Sequence, residues 1–272
     1  MARVVGLVTY PVKGCAGVPL TEADLTEGGL VDDRTFMVVD DGYVFRTQRR
    51  DPTLAVIRPR VEDGGEILVL DVAGHDPVTV EVDTDGPRRD VQLFNNQYRG
   101  IDQGEPVAQW LTAVLGVPSR LVRVPSEHHR VMPGHVPARC GYADSGATLV
   151  ISVSSLEELN TRIPAGGLPM DRFRPNVIVD GWPEAHTEDR ARTMTIGNAE
   201  LGYQKLAIRC AVTRVDQSAG VVAGPEPIRT LASYRRAAEG GVAFGAKFSV
   251  LRTGKLAVGD DVTVTEWAAS EL

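Results

Sequence analysis

The stretch AVIRPRVEDGGEILVLDVAGHDPVTVEV, residues 55–82, contains three short segments rich in Val, Ile and Leu that are separated by turn residues. The segments cover residues 55–61, 66–72 and 78–82, and the cluster Asp63-Gly64-Gly65 separates the first two. Branched apolar residues favour strands, whereas Asp and Gly favour the turns between strands. This stretch therefore predicts three successive short strands, a pattern typical of an antiparallel sandwich or barrel.

The same pattern of short apolar segments between turns extends in both directions from this stretch. It predicts a mainly β chain with a few helices, in the α+β class. The other segments predicted as strands are residues 4–10, 34–40, 147–152, 176–179, 193–196, 206–215, 246–251 and 261–265.

Three segments have the apolar spacing of helices. Residues 106–115 show this spacing and end at Gly116, a residue that commonly terminates helices. Residues 154–162 form the second predicted helix, with Ser154 as its N-terminal cap. A short third helix is predicted over residues 228–238.

The length and composition of the chain describe an ordinary globular protein. Its 272 residues are enough for one large or two medium domains, and 43% of them are hydrophobic. The net charge is −7 and the pI is ≈ 5.3, so the surface as a whole repels a polyanion, and we expect no nucleic-acid partner.

The sequence also indicates a cellular location and a redox environment. The N-terminus lacks the apolar region of a signal peptide, and no apolar run approaches the ~20 residues that cross a bilayer. The three cysteines, at positions 15, 140 and 210, show no CxxC spacing, which argues against a disulfide framework, a structural zinc site or an iron–sulfur centre. We therefore expect a cytoplasmic protein without a membrane partner.

Cys210 lies within the predicted strand at residues 206–215. Strict alternation along a strand places Cys210 on an apolar face together with Leu206 and Ile208. Free cysteine commonly behaves as a small hydrophobe, so an inert buried thiol is one interpretation. The adjacent Arg209 supports another, because a nearby cation favours the thiolate, the form of cysteine that binds metals.

Two other segments place basic residues where a strand begins. In Phe173-Arg-Pro-Asn176, Pro175 disfavours a helical conformation at Arg174, so we expect an extended Arg174 whose guanidinium projects at a defined angle. A rigid Arg and an Asn amide can together bind a phosphate or a heterocycle, although an ordinary strand entry with a solvated Arg is the alternative. Arg34 follows a turn in the same way, beside two aspartates with which it could simply form surface ion pairs.

Lys13 follows the first predicted strand, in a turn rich in small residues. Gly14, Ala16 and Gly17 would let an anion approach the backbone there. An ordinary hairpin is the alternative for this turn.

Taken together, these segments resemble the MOSC family whose members carry an N-terminal β-barrel domain, the group that includes the mitochondrial amidoxime-reducing component and its bacterial relatives. The matching residues run from about position 4 to 264. They include Tyr10-Pro-Val-Lys13, Asp33-Arg34, Phe45-Arg-Thr-Gln-Arg49, Ala143-Asp-Ser145, Ser155-Leu-Glu-Glu-Leu-Asn160, Phe173-Arg-Pro-Asn176, Glu188-Asp189, Arg209-Cys210, Phe244-Gly245 and Val258-Gly-Asp260.

The resemblance implies two domains and a cofactor between them. The expected domains are an N-terminal MOSC-associated β-barrel-like domain over residues 1–122 and a C-terminal MOSC β-barrel over residues 123–272. The cofactor implied is molybdopterin carrying molybdenum, with the Cys210 thiolate as the protein's ligand to the metal. A soft thiolate suits such a metal, and the resemblance thereby favours the ligand interpretation of Cys210.

The resemblance also assigns roles to individual residues. Cys210 and Asp144 are the residues expected to take part in catalysis. The residues expected to bind the cofactor are Lys13, Arg34, Ser145, Arg174, Asn176 and Arg209. Two positions depart from the family pattern, since Gly14 and Gly146 stand where some relatives have Ser.

The function implied is reduction of N-hydroxylated or N-oxide compounds by oxygen-atom transfer. The chain contains no ferredoxin-like segment, so a separate flavin or iron–sulfur electron-donor protein is expected, together with a small-molecule substrate. The alternatives are a cofactor carrier or a sulfur-transfer protein with a persulfide on Cys210, and a binding module that has lost the metal. The amount of molybdenum bound and the presence of turnover distinguish these functions.

Overall fold

A computed structural model describes residues 1–164 and 166–272 of the chain. Strands make up 44% of the structure and helices 16%, which confirms the prediction of a mainly β protein with a few helices. No helix in the two described ranges is both long and apolar enough to cross a bilayer.

The structure contains twenty-three strands and three α-helices among the described residues. In chain order they are β1 (Ala2–Thr9), β2 (Val12–Lys13), β3 (Val18–Leu20), β4 (Glu22–Thr26), β5 (Gly29–Leu30), β6 (Phe36–Val39), β7 (Arg58–Glu62), β8 (Ile67–Val72), β9 (His75–Glu81), β10 (Arg88–Leu93), β11 (Asn96–Asp102), α1 (Glu105–Leu115), β12 (Arg120–Arg123), β13 (Val131–Met132), β14 (Ala138–Arg139), β15 (Thr148–Ser152), α2 (Val153–Arg162), β16 (Val177–Asp180), β17 (Ala191–Ile196), β18 (Ala199–Arg209), β19 (Val215–Asp216), β20 (Val221–Val222), α3 (Ile228–Leu231), β21 (Val242–Arg252), β22 (Gly254–Ala257) and β23 (Asp261–Trp267).

Seven of these strands close into a barrel in the order β16-β15-β21-β18-β17-β23-β1, with β1 pairing back onto β16. All neighbours are antiparallel except β15 and β16, which run parallel. The first strand of the chain therefore completes a barrel whose other strands lie between residues 148 and 267. The predicted division of the chain between residues 122 and 123 stays a prediction.

The N-terminal part of the chain forms a five-stranded sheet in the order β10-β11-β12-β6-β2 and a three-stranded sheet of β7, β8 and β9. The three successive strands predicted over residues 55–82 form the second of these sheets, although the first of them begins at Arg58. Helix α1 packs Val107 and Leu111 into the core shared with both sheets. It ends at Gly116, which adopts the left-handed conformation that the sequence predicts for a terminating Gly.

The predicted strand at residues 206–215 is wrong in its second half. Strand β18 ends at Arg209, and a short 3-10 helix, Ala211–Arg214, follows. The backbone carbonyl of Cys210 accepts hydrogen bonds from the N–H and hydroxyl of Thr213, at 3.1 and 2.9 Å. This turn breaks the alternation along the chain, so Cys210 is exposed rather than on a buried apolar face.

Two helix predictions also differ from the structure. Helix α2 is capped by Ser152, whose hydroxyl accepts a hydrogen bond from the N–H of Ser155 at 3.2 Å, and Ser154 lies inside the helix. Helix α3 ends at Leu231 instead of continuing to residue 238. The chain then turns back, and the Arg235 carbonyl accepts a hydrogen bond from Ala243 N–H at the start of β21.

Candidate functional site

A cleft opens where β2, the loop before β15, the end of β18 and the middle of β21 meet. The space between its walls, the open mouth included, is ≈ 1190 Å³. The structure brings all eight predicted site residues to this cleft, and they are Lys13, Arg34, Asp144, Ser145, Arg174, Asn176, Arg209 and Cys210.

Lys13 and Asp144 form an ion pair across the cleft. The Lys13 side chain is buried and its ammonium lies 5.2 Å from the centre of the Phe94 ring, whereas the Asp144 carboxylate is open to the cleft. Burial lowers the pKa of Lys13, although Asp144 opposes that change. Burial opposes ionisation of Asp144, but Lys13, Lys247 and Arg34 outweigh it and hold the pKa of Asp144 well below its usual range. Asp144 is therefore a carboxylate at any pH near neutrality.

Arg34 is held in place by Asp33 and Asn176. Its Nη1 donates to Asp33 Oδ2 at 2.5 Å and to Asn176 Oδ1 at 3.1 Å, and its guanidinium stacks on the Tyr10 ring at 4.2 Å. Asn176 also accepts from the N–H of Leu149 and donates from Nδ2 to Val8 O and Asp33 Oδ1. All four hydrogen-bonding positions of the Asn176 amide are therefore occupied by protein groups.

Arg174 is not extended, as the sequence predicts, but left-handed, with φ 56° and ψ 48°. This conformation is uncommon for a residue before proline, and here the surrounding packing maintains it. The Arg174 guanidinium stacks on Tyr10 at 4.2 Å, and Nη1 donates to Gln217 Oε1 at 3.1 Å. Its buried Nη2 has no hydrogen-bond partner among the described residues. Burial lowers the pKa of Arg174, and the nearby Arg34 lowers it further.

Cys210 lies at the mouth of the cleft, directly after the end of β18. The preceding residue, Arg209, donates from Nη2 to the carbonyl of Phe173 at 2.7 Å, which aligns its guanidinium along the cleft wall. The buried Nε of Arg209 has no hydrogen-bond partner in the described part of the chain. Burial lowers the pKa of Arg209. The thiol is the one exposed sulfhydryl of the chain, since Cys15 and Cys140 are buried.

The loop that carries Asp144 and Ser145 is fixed from behind by Arg130. The buried Arg130 guanidinium donates to the carbonyls of Gly141, Ala143 and Asp144, with distances of 3.0 Å to Gly141 and 2.9 Å to Asp144. These bonds satisfy the carbonyls on the inner side of the loop. The Asp144 side chain is thereby directed into the cleft.

The sequence analysis missed Lys247, which lines the same cleft and donates a hydrogen bond from Nζ to the hydroxyl of Ser145. The sequence does indicate this residue, because Lys247 is the single charged residue in the mostly apolar segment 242–250. Burial lowers the pKa of Lys247 to about 8. A lone Lys in a buried strand usually has a polar partner or a function.

The segment Phe45–Arg49 also lines the cleft, and the sequence analysis assigned it no role. Its Gln48 is 1% exposed and exchanges hydrogen bonds with Gln217, amide to amide, at 3.1 and 2.9 Å. Gln48 also donates to Gly14 O at 2.6 Å, beside Lys13. These hydrogen bonds hold residues 45–49 and the turn after Lys13 against the segment that follows Cys210.

The cleft is strongly basic, although the chain as a whole carries a net charge of −7. Seven cationic side chains line it, and Asp144 is the one acidic side chain among the described lining residues. No group of three or more His, Cys, Asp or Glu side chains that could hold a metal occurs in the described ranges. The donor set therefore suits an anionic ligand together with a metal that takes a single protein thiolate.

Two family models match the chain. The model described as MOSC N-terminal beta barrel domain matches residues 1–118, and the model described as MOSC domain matches residues 137–263. Together they include every residue that lines the cleft.

Known proteins are similar over nearly the whole chain. "Mitochondrial amidoxime reducing component 2" of Rattus norvegicus is 33% identical, with 93% of this chain and 80% of the relative covered. "Mitochondrial amidoxime-reducing component 1" of Homo sapiens is 31% identical, with 96% and 82% covered. "Molybdenum cofactor sulfurase" of Oryza sativa subsp. japonica is 29% identical over 88% of this chain, which corresponds to 31% of that longer protein.

Proposed function

Because the chain belongs to the MOSC-domain proteins that carry an N-terminal MOSC β-barrel domain, the family of the amidoxime-reducing components, we propose that it is a molybdenum-dependent oxidoreductase. Its substrates would be small N-hydroxylated or N-oxide compounds, reduced by oxygen-atom transfer. Electrons would come from a separate flavin or iron–sulfur protein. The observation that carries the proposal is an exposed thiol at the mouth of a deep cleft whose charged groups are almost all cations.

The residues present fit a phosphorylated pterin cofactor. Two buried guanidinium nitrogens at the cleft, Arg174 Nη2 and Arg209 Nε, lack a hydrogen-bond partner within the described chain. A buried donor without an acceptor is costly, by about 1–3 kcal/mol or more for a charged group, so natural sites supply the acceptor. Phosphate oxygens and pterin ring acceptors are suitable partners for such donors. Arg209, which is hydrogen-bonded to the Phe173 carbonyl, and Arg174, which stacks on Tyr10, are already oriented to receive these acceptors.

The roles proposed for the cleft residues follow from their surroundings. Lys13, Arg34 and Arg174 would bind the anionic part of the cofactor, since their cationic groups gather on the inner walls of the cleft. Asn176 would act by positioning Arg34, because its own amide is saturated by protein groups. Cys210 would ligate the metal. When bound, the cofactor would supply two-electron oxygen-atom transfer chemistry.

Asp144 is suited to accept hydrogen bonds and not to donate a proton. Its pKa is held well below the usual range by Lys13, Lys247 and Arg34, which outweigh the effect of burial. An ionised carboxylate is an acceptor only. We therefore propose that Asp144 binds N–H groups of the pterin, while its ion pair with Lys13 fixes the width of the cleft.

Elemental analysis of the purified protein tests the metal site. We expect stoichiometric molybdenum in the wild type and less than about one tenth of that in Cys210→Ala, because loss of a single ligand typically weakens metal affinity by far more than the ~10–100-fold seen for outer partners. Val212→Ala is the matched control. Val212 lies two residues further on the same turn and lines the same cleft, but it offers no metal ligand. Equal molybdenum in all three proteins would contradict the assignment of Cys210.

Turnover distinguishes the oxidoreductase from a cofactor carrier. The wild type, supplied with a benzamidoxime-type substrate and a reduced artificial donor, should form the amidine. A protein that retains molybdenum but forms no product would instead support the carrier or sulfur-transfer function, to which the similarity with the molybdenum cofactor sulfurases also points.

A further inference from the structure

Lys247 lies on β21, in the barrel wall, and its ammonium reaches the cleft beside Ser145. Its aliphatic stem lies directly against Gly146. A Cβ atom at position 146 would stand 2.5 Å from Gln204 Oε1, 3.1 Å from Lys247 Cδ and 3.3 Å from Lys247 Cβ, so a side chain there would press on both the Gln204 amide and the Lys247 stem. The Gly at position 146, where some relatives have Ser, therefore provides the space that Lys247 uses.

The ammonium of Lys247 has few charged neighbours. The charged groups that face it are Asp144 from the loop before β15, Arg209 and Lys205 from β18, and Arg34. Within the described ranges the Lys247 ammonium donates a hydrogen bond to the neutral hydroxyl of Ser145 and forms no ion pair. Burial, reinforced by the neighbouring cations, lowers the pKa of Lys247 to about 8, so the ammonium can release a proton near neutral pH.

The other groups at the cleft are unsuited to donate a proton. The guanidinium groups stay protonated in proteins, and Asp144 is already ionised. Lys13 is tied to Asp144 in an ion pair that favours its charged form. The described lining includes no His, Glu or Tyr. Lys247 is therefore the one lining group that combines a transferable proton with a neutral hydrogen-bond partner.

We propose that Lys247 is a catalytic residue that delivers a proton to the oxygen leaving an N-hydroxylated substrate. The inference rests on the proposed function. Reduction of an N–OH group breaks the N–O bond and consumes two electrons, from the external flavin or iron–sulfur protein, and two protons. Summed over one turnover, one proton passes from the Lys247 ammonium to the departing oxygen, one from solvent reaches the nitrogen, and the oxygen is finally released as water. Solvent then reprotonates Lys247.

The test is the pH dependence of kcat for benzamidoxime with excess reduced methyl viologen as the donor. In the wild type, kcat should fall as the pH rises through about 8, because the ammonium form is required. Lys247→Ala should lower kcat by about 100-fold, the usual contribution of a general acid, and remove this limb of the profile. Added ethylammonium should restore part of the rate, in the space that the stem vacates. Lys247→Arg should stay slow, since a guanidinium keeps its proton.

Lys205→Ala is the matched control, because Lys205 pairs with Lys247 across β18 and β21 but does not line the cleft. It should keep the wild-type kcat at low pH and retain the alkaline limb, shifted if anything to slightly higher pH, because removing a neighbouring cation raises the pKa of Lys247. Molybdenum content is measured for every variant and should be unchanged.

Three other outcomes are possible. Two of them contradict the inference about Lys247, and the third contradicts the proposed function. A Lys247→Ala protein with full molybdenum and the wild-type pH profile would contradict proton donation. Loss of molybdenum in both Lys247→Ala and Lys247→Arg would make Lys247 a cofactor-holding residue instead. A wild-type protein that contains molybdenum but does not reduce benzamidoxime would contradict the proposed function itself.

Discussion

Two groups of buried charges in the molecule are arranged differently. The first is the cleft. The second lies beneath α2, and we call it the closed cluster; its members are Ser152, Ser155, Glu188, Asp189 and Arg235. In the closed cluster each carboxylate has a protein hydrogen-bond donor, although Asp189 Oδ1 has none of its own among the described residues, whereas in the cleft cations outnumber carboxylates.

In the closed cluster each carboxylate has a protein partner. Glu188 accepts from the hydroxyls of Ser152 and Ser155 at 2.9 and 2.8 Å, and Asp189 Oδ2 accepts from Arg235 Nη2 at 2.5 Å. Both carboxylates are 0% exposed. Burial raises the pKa of Glu188 and raises that of Asp189 to about 7, although Arg235 opposes the latter change.

The difference shows how a structural charge group can be told from a ligand site. A buried charge that finds its partner within the chain contributes to one packed arrangement and needs nothing else. A surplus of one sign with orphaned donors, as at Arg174 and Arg209, is unfavourable in the protein alone and is compensated by a bound group of opposite charge. We therefore expect substitutions in the closed cluster to lower stability, and substitutions in the cleft to lower ligand binding with little effect on stability.

The largest effect on stability is expected for Arg235→Met. The change leaves Asp189 buried without its cation, and removing one partner of a buried pair typically costs about 3–5 kcal/mol. The raised pKa of Asp189 gives this cost a pH dependence, because the folded protein binds this proton up to about pH 7 and the unfolded chain loses it near pH 4. Without Arg235 that pKa rises further, so the loss of stability should be smaller at pH 5 than at pH 8. Urea unfolding of the wild type and the variant at pH 5 and pH 8 measures both the loss of stability and its pH dependence.

Arg252→Met is the control for this prediction, since Arg252 pairs with Glu200 at the surface at 3.1 Å. Exposed pairs contribute about 0–1 kcal/mol, and we expect no resolvable loss. If the two Arg substitutions proved equally mild at pH 8, the closed cluster would not be a stabilising unit.

A smaller difference in folding stability is expected between the variants Ser152→Ala and Ser154→Ala. Ser152→Ala removes both the cap of α2 and a hydrogen bond to the buried Glu188, so a loss of about 1–2 kcal/mol is expected. Ser154 bonds to the carbonyl of Glu184 in an exposed position, and its removal should cost less than about 0.5 kcal/mol. Differences in urea midpoint between the two variants measure this, and a larger loss for Ser154→Ala would return the cap to the position that the sequence predicts.

The local features of the fold were predictable from the sequence, because they depend on neighbouring residues. The three strands over residues 55–82 and the end of α1 at Gly116 are examples. The pairing of β1 with β16 was not predictable, since it joins residues about 170 positions apart. The end of β18 was missed because Ala211, Val212 and Thr213 continue a strand-like composition, and only the hydrogen bonds to the Cys210 carbonyl reveal the turn.

The site was predicted by resemblance more than by spacing. No single local pattern identified Cys210 or Asp144, and both are brought to the cleft by the long-range pairing of β15 and β18 with β21. The extended conformation predicted for Arg174 was wrong because stacking on Tyr10 and the hydrogen bond to Gln217 outweigh the local preference imposed by Pro175. Lys247, in contrast, could have been found from the sequence as a charge within an apolar strand.

Among the substitutions of buried charges, the smallest effect on stability is expected for Arg174→Met, and it is the sharpest test of the comparison. Arg174 is buried beside the like-charged Arg34, its pKa is lowered by burial, and its Nη2 has no partner among the described residues. Met keeps an unbranched apolar stem against Tyr10 and removes the unfavourable charge, so the free energy of unfolding of the metal-free protein should change by less than about 1 kcal/mol. Inorganic phosphate should raise the Tm of the wild type by more than that of the variant, because the variant lacks the unpartnered Nη2 of Arg174. If Arg174→Met cost as much stability as Arg235→Met and left the phosphate response intact, Arg174 would belong with the structural charges, and the anion-binding part of the cleft would have to lie elsewhere.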